Sequence, residues 1–165
     1  MSKVIFPGSF DPIHLGHLDI ARRAALIFDE VVISVYDRPL KSLLFTPRER
    51  IAMVKQATKD ISNIEVVGYN GLTVQFAKEI GAIAIVRGLR VFSDFEYEFR
   101  MAMANKRLEP EMETIALVTD EQNTFLSSST VKEIAALGGD VSTMVPDHVL
   151  RALRKKFQSA GSVEA

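Results

Sequence analysis

Five short apolar runs, rich in β-branched residues, recur along the chain at Lys3–Phe6, Val31–Tyr36, Ile64–Val67, Ile83–Val86 and Thr114–Val118. Most are apolar at consecutive positions, the pattern of strands covered on both faces of a parallel sheet. Stretches with helical spacing lie between them. In Leu15–Phe28 the apolar Leu18, Ala21, Ala25 and Phe28 recur every three to four residues, with Arg22 and Arg23 turned outward. Thr46-Pro47-Arg48-Glu49 reads as a helix start, with threonine as cap, proline in the first turn and glutamate reaching back; the helix runs to about Thr58. Thr73–Ile80 stops at Gly81, and Asp94–Leu108 stops at Glu109-Pro110. Two further helices are expected at about Thr130–Leu137 and Asp147–Phe157.

Strict alternation of strand and helix predicts an α/β fold, a doubly wound five-stranded parallel sheet with right-handed crossovers and strand order 3-2-1-4-5. Strands one and four are then neighbours where the order reverses, and a ligand is expected beyond their carboxyl ends. At 165 residues the chain reads as one domain over 1–158, followed by a small polar segment, 159–165, expected as a disordered tail.

Composition narrows the chemistry. A formal net charge of −1 leaves no whole-molecule basic field for nucleic acid or an acidic membrane surface, so any anion site must be local. The absence of cysteine excludes a disulfide framework, a thiolate metal site and a cysteine nucleophile. No apolar segment reaches membrane-spanning length, and the reading is a cytoplasmic protein.

The two loops at the expected switch point are both polar and glycine-bearing. Strand one runs into Gly8–His17, "GSFDPIHLGH", and strand four into Arg87–Arg90, "RGLR". A strand that turns into a helix presents unpaired backbone N–H groups, where phosphate binds. His14 and His17 at i and i+3 share a helix face, Gly16 between them lets a phosphate approach the backbone, and Ser9 offers a hydroxyl and an N–H. Histidine can donate to a phosphate that gains charge during transfer. Zinc is the competing use of the two histidines, but no third ligand with convincing spacing appears. Arginine forks suit bidentate phosphate recognition, which fits Arg87 and Arg90. Ser127-Ser128-Ser129-Thr130 opens a helix with Thr130-x-x-Glu133 as a capping box, and its three successive serine hydroxyls exceed what capping needs. Acidic residues in Asp94–Glu98 favour a helix N-terminus whatever else they do.

Gly8–His17 resembles the (H/T)xGH signature of the nucleotidyltransferase superfamily. With "PGSFDP" in front it is similar, in particular, to the bacterial pantetheine-phosphate adenylyltransferase family. "PLKSLLFTPRER" at Pro39–Arg50, "VRGLRVFSDFEYE" at Val86–Glu98 and "FLSSSTVKE" at Phe125–Glu133 resemble the family's other motifs in order and spacing. The resemblance implies a Rossmann-like nucleotidyltransferase fold and transfer of AMP from ATP to 4′-phosphopantetheine, with Mg2+ neutralising the phosphates. It implies His17 as the catalytic donor. It assigns Ser9, Phe10, His14, His17, Gly88, Leu89, Arg90, Glu98, Asn123, Thr124, Phe125, Leu126, Ser127, Ser128 and Ser129 to ATP. Ser9, Lys41 and Arg87 are assigned to the acceptor, with Thr73 lining a groove for its arm along Tyr69–Val74. No dedicated metal ligands are expected. A homohexamer is implied, with Phe99, Met101 and Met103 as candidate apolar contacts. His14 stands where many members carry threonine, Ser42 where a second lysine is frequent, and Asn123 where an aromatic is frequent. The alternatives are another small-molecule nucleotidyltransferase, acting on nicotinamide mononucleotide or glycerol phosphate, or a nucleotide-binding module without activity.

Overall fold

The computed structural model describes residues 1–38 and 42–161. Among them β1 (Lys3–Gly8), β2 (Glu30–Tyr36), β3 (Ile64–Tyr69), β4 (Ala84–Leu89) and β5 (Glu113–Val118) form one parallel sheet in the order β3-β2-β1-β4-β5. The consecutive apolar residues divide between its two faces. Val4, Phe6, Ile33, Val35, Ala84 and Val86 enter one core, while Ile5, Val32 and Ile85 enter the other. The first core is closed by α1 (Leu15–Ile27), α2 (Pro47–Thr58), α5 (Ser128–Ala136) and α6 (Asp147–Gly161), through residues such as Ala21, Val54, Val131 and Leu153. Val74 and Ala77 of α3 (Thr73–Glu79) close the second. A further helix, α4 (Phe92–Leu108), buries none of its residues.

The element ends depart from the sequence reading where they matter. β4 continues through Arg87, Gly88 and Leu89, which pair with Ala116, Leu117 and Val118, so most of "RGLR" is strand and not loop. β1 likewise continues through Pro7-Gly8, held by β2 at Ser34 and Val35. β1 and β4 pair only at Val4–Ala84 and Ile5–Ile85, however, so beyond Ile5 the middle of the sheet parts. The cleft at the switch point is therefore an opening between two strands that each stay paired on their outer side. Thr46 caps α2 with Glu49 reciprocating, as its sequence predicts. At the other end of the chain α6 runs to Gly161, into the segment expected as a tail; 162–165 lie outside the described residues.

The turn out of β1 is held from beneath by Arg50 of α2, which is fully buried. Its guanidinium donates to the carbonyls of Phe45 (3.2 Å), Ser9 (2.8 Å), Tyr36 (2.7 Å) and Asp37 (3.3 Å). Carbonyls of three chain segments thus meet on one cation, and Phe10, the residue after Ser9, is held at φ +48°, a conformation non-glycine residues seldom adopt. Arg50→Met keeps side-chain bulk but strips those carbonyls of their donors. In urea titration it is expected to cost about 3–5 kcal/mol, the range for removing one partner of a buried charged network. A loss below about 1 kcal/mol, the scale of one ordinary hydrogen bond, contradicts the role.

Candidate active site

His14 stands directly before α1 and is its cap. Its Nδ1 accepts the backbone N–H groups of Gly16 (3.1 Å) and His17 (3.3 Å), while His17 Nδ1 accepts the N–H of His14 (3.2 Å). The two side chains form a reciprocal capping box with histidine in both roles, and their rings stack with centroids 3.7 Å apart. A ring nitrogen that accepts cannot carry the proton, so these bonds assign both imidazoles the tautomer with hydrogen on Nε2. Each ring is thereby set to donate through Nε2. Gly16 leaves the ring its room: a Cβ would stand 3.0 Å from the His14 ring, which would have to give way. The His14 ring is buried, and burial, helped by the nearby Arg90 guanidinium, pulls its pKa from 6.5 to about 3. Phe10 supports the pair from below, its ring edge-on to that of His17.

Where β1 and β4 part, Arg87 bridges the gap. Its Nη1 donates to Pro7 O (2.9 Å), and its Nε and Nη2 grip the Glu98 carboxylate in a two-bond fork, each at 2.8 Å. Among the described residues three of the five guanidinium N–H groups are thus engaged, leaving two for a ligand. Burial opposes the charge on Arg87, but Glu98 outweighs it and holds the pKa above the ordinary value. Arg90 is fixed in the same manner by Asp94, which accepts from its Nε (3.0 Å) and backbone N–H (3.1 Å), and by the carbonyl of Leu126.

The N-terminus of α5 closes the far side. Its cap is Ser127, whose Oγ accepts the Thr130 N–H at 3.0 Å, so the expected Thr130–Glu133 box does not form and the helix starts two residues earlier. Ser128 Oγ donates to Pro12 O at 2.9 Å. Two of the three hydroxyls are therefore committed within the chain, and the anion-binding capacity of this corner rests on Ser129 and the first-turn N–H groups.

Two clefts result. A polar one of about 350 Å³ is lined by Ser9, Phe10, His14, His17, Gly88, Arg90, Glu98 and Ser127–Ser129, all named from the sequence. A larger, mainly apolar one of about 740 Å³ runs over Tyr36, Tyr69, Gly71–Val74 and the inner face of α4, where Tyr97, Met101, Asn105 and Leu108 follow helical spacing. Pro7, Gly8, Ser9, Arg87 and Glu98 line both, so the Arg87–Glu98 fork is their common wall.

Not every named residue reaches a cleft. Leu89 lies in a separate exposed groove with Phe92 and Phe95, because it faces away from Gly88 along β4. Asn123, Thr124, Phe125 and Leu126 do not line the polar cleft; Leu126 is buried and reaches it only through its carbonyl on Arg90, and Phe125 is exposed. Lys41 lies outside the described residues. Asp94 and Thr119 of the polar cleft, and Tyr36, Tyr97 and Met101 of the apolar one, were not singled out for the site from sequence. The i,i+4 spacing of Tyr97 and Met101 was the available signal. Among the described residues no group of three His, Cys, Asp or Glu stands together as a metal cage, and the two carboxylates of the polar cleft are engaged by arginines.

Known proteins share this chain's sequence and fold. Residues 5–134 match the cytidylyltransferase-like family model. The chain is 50% identical over 160 residues to the phosphopantetheine adenylyltransferase of Caldanaerobacter subterraneus, covering 97% of this chain and all of that one. It is 52% identical over 157 residues to that of Heliobacterium modesticaldum, covering 95% and 94%. A crystal structure of a protein assigned as a nicotinate-nucleotide adenylyltransferase from Vibrio parahaemolyticus superposes with TM-score 0.70 at 22% identity, over 93% of this chain and 99% of that one; at that identity it speaks for the fold.

The buried cap makes a pH prediction. The unfolded chain takes up the His14 proton near pH 6.5 and the folded chain only near pH 3, so stability present above 6.5 is lost as pH falls through that window. From pH 7 to pH 5 the parent is expected to lose about 2 kcal/mol more than His14→Thr, which can still cap, as read by urea titration at each pH. Equal losses in the two proteins would contradict the buried neutral ring.

Proposed function

We infer the reaction of this chain from its family: it belongs to the phosphopantetheine adenylyltransferases, within the cytidylyltransferase-like proteins, and it transfers AMP from ATP to 4′-phosphopantetheine, giving dephospho-coenzyme A and pyrophosphate. The observation that carries the assignment of parts is the shared wall. A polar cleft suited to a triphosphate and an apolar cleft suited to a long, amide-bearing arm meet at Ser9, Arg87 and Glu98.

In this reading the triphosphate lies in the polar cleft between the histidine pair, Arg90 and the N-terminus of α5. The acceptor's arm occupies the apolar cleft past Tyr69 and Thr73, and its phosphate meets the two remaining Arg87 donors, with Lys41 as a further cation. An oxygen of that phosphate attacks the α-phosphorus in line, the bond from the α-phosphorus to the bridging oxygen breaks, and pyrophosphate leaves. His17 Nε2–H donates to the α-phosphate as negative charge concentrates on its oxygens, and His14 orients His17 through the cap. No side chain forms a covalent intermediate. Catalysis is positioning and charge stabilisation. Glu98 acts through Arg87, which it aims and braces. The residues of the polar cleft do not build a magnesium cage, so the Mg2+ of this proposal arrives with the nucleotide and no step is assigned to it.

A cytoplasmic setting and a homohexamer belong to the same proposal. Supporting self-association, α4 leaves Phe92, Phe95, Phe99 and Met103 exposed on a helix with no buried residue. Among the described residues no helix is long and apolar enough to cross a membrane.

The direct test offers the protein ATP, magnesium and an equimolar mixture of 4′-phosphopantetheine, nicotinamide mononucleotide and glycerol 3-phosphate, and identifies the product by mass. Dephospho-coenzyme A is expected to dominate; a different dominant product overturns the substrate assignment. His17→Ala should lose about 10²–10³ in kcat with little change in ATP affinity, because its hydrogen bond strengthens in the transition state. A few-fold loss of kcat beside a collapse of ATP binding would make His17 a binding residue instead.

A further inference from the structure

Asp11 is wholly buried, yet no ligand contact requires it and it lines neither cleft. Its Oδ2 accepts the N–H of Leu44 and its Oδ1 that of Phe45, each at 2.9 Å, just ahead of α2. Its third partner is distant in sequence: Lys132 Nζ, from the second turn of α5, reaches Oδ2 at 2.8 Å. The neighbouring residue makes a parallel tie to the same helix, since Pro12 O accepts from Ser128 Oγ. Two residues before Asp11, Ser9 O is held by Arg50. The turn from Ser9 to Pro12 is thus pinned at Ser9, Asp11 and Pro12, and the Asp11–Lys132 pair is the charged link between the segment that presents the histidines and the helix that presents Ser129.

A partly buried ion pair is not a good source of stability, since withdrawing charge from water costs about as much as the attraction returns. What the pair does supply is a fixed separation between two donor sets on different elements. We propose that Asp11 and Lys132 are positioning residues for adenylyl transfer, locking the histidine-bearing turn of α1 against the N-terminus of α5 so that both reach the same triphosphate. The inference rests on the transferase reading given above. It assigns neither residue a contact with substrate.

Three variants test it. Asp11→Asn keeps the shape but turns an amide toward a donor, Lys132→Met leaves the carboxylate without its cation, and the double variant removes both charges. Each single change should lower the midpoint of thermal unfolding, and the double should recover most of that loss, since no buried charge is left unpaired. Activity should not follow stability. In all three, kcat with saturating ATP and 4′-phosphopantetheine is expected to fall about 10²-fold, the scale of a misplacement near 1 Å, while KM for the acceptor changes only slightly. Lys132→Arg, which keeps the charged link, should hold kcat within a few-fold of the parent. Should a single variant fail to fold, the double variant and Lys132→Arg carry the decision. A double variant that regains parental kcat along with its stability overturns the proposal, because the pair would then serve folding alone. A parent that makes no dephospho-coenzyme A in the same assay would instead overturn the reaction itself.

Discussion

The turn between β1 and α1 is held by two buried charges, Arg50 and Asp11, and the rest of the site depends on that hold. A lone buried charge costs far more than a small domain can spare, so each must be fully partnered. Arg50 meets four carbonyls and Asp11 meets two N–H groups and an ammonium. Among the described residues no buried side-chain nitrogen or oxygen lacks a partner. The geometry that satisfies both charges keeps Phe10 at positive φ, delivers Pro12 to α5, and brings the chain into α1 with His14 at the cap. Strain at the turn and order at the histidines share one cause.

The same logic explains why the cleft has two chemistries. In a parallel sheet neighbouring strands pair along their length, but β1 and β4 part after two residue pairs. The backbone groups left at the break need partners, and Arg87 supplies one to Pro7 O while Glu98 neutralises the arginine from α4. The bridge divides the opening. On one side lie polar loops and helix N-termini, whose N–H groups suit phosphate charge; on the other lie Tyr36, Tyr69 and the inner face of α4, whose rings suit an apolar group. In the proposed reading, the two phosphates meet at this divider.

The sheet was readable because its central strands β2, β1 and β4 carry continuous buried runs, which consecutive apolar residues announce, while the edge strands β3 and β5 keep exposed positions; the switch-point rule then pointed to the cleft without reference to its chemistry. Strand ends were less readable. Arg87 and Gly88 look like loop residues by composition, yet pairing with β5 extends the strand through them, a tertiary effect that local sequence does not encode. The histidine cap shows the same limit. Spacing of three puts His14 and His17 on one helical side, but the entry of the chain that makes His14 the cap depends on the distant partners of Asp11 and Ser9, which sequence alone does not show. Ser127 displaced Thr130 as the cap of α5 for a related reason: the helix is anchored by Ser128 to Pro12 and by Lys132 to Asp11, contacts spanning more than a hundred residues. The polar residues of the site were legible as types, whereas Tyr36, Tyr97 and Met101 were not, because an apolar wall resembles any other apolar surface until the cleft exists.

The central claim is that the fold sets the hydrogen-bonding state of the histidine pair before any substrate arrives. Nitrogen-15 NMR of the ligand-free protein, with labelled histidine and variants to assign each ring, reads that state directly. Both His14 and His17 should show protonated Nε2 and unprotonated, hydrogen-bonded Nδ1, and His14 should keep that signature unchanged from about pH 8 to about pH 5. A His14 ring that titrates near the ordinary histidine pKa of ~6.5, or that carries its proton on Nδ1, would contradict the account at its root.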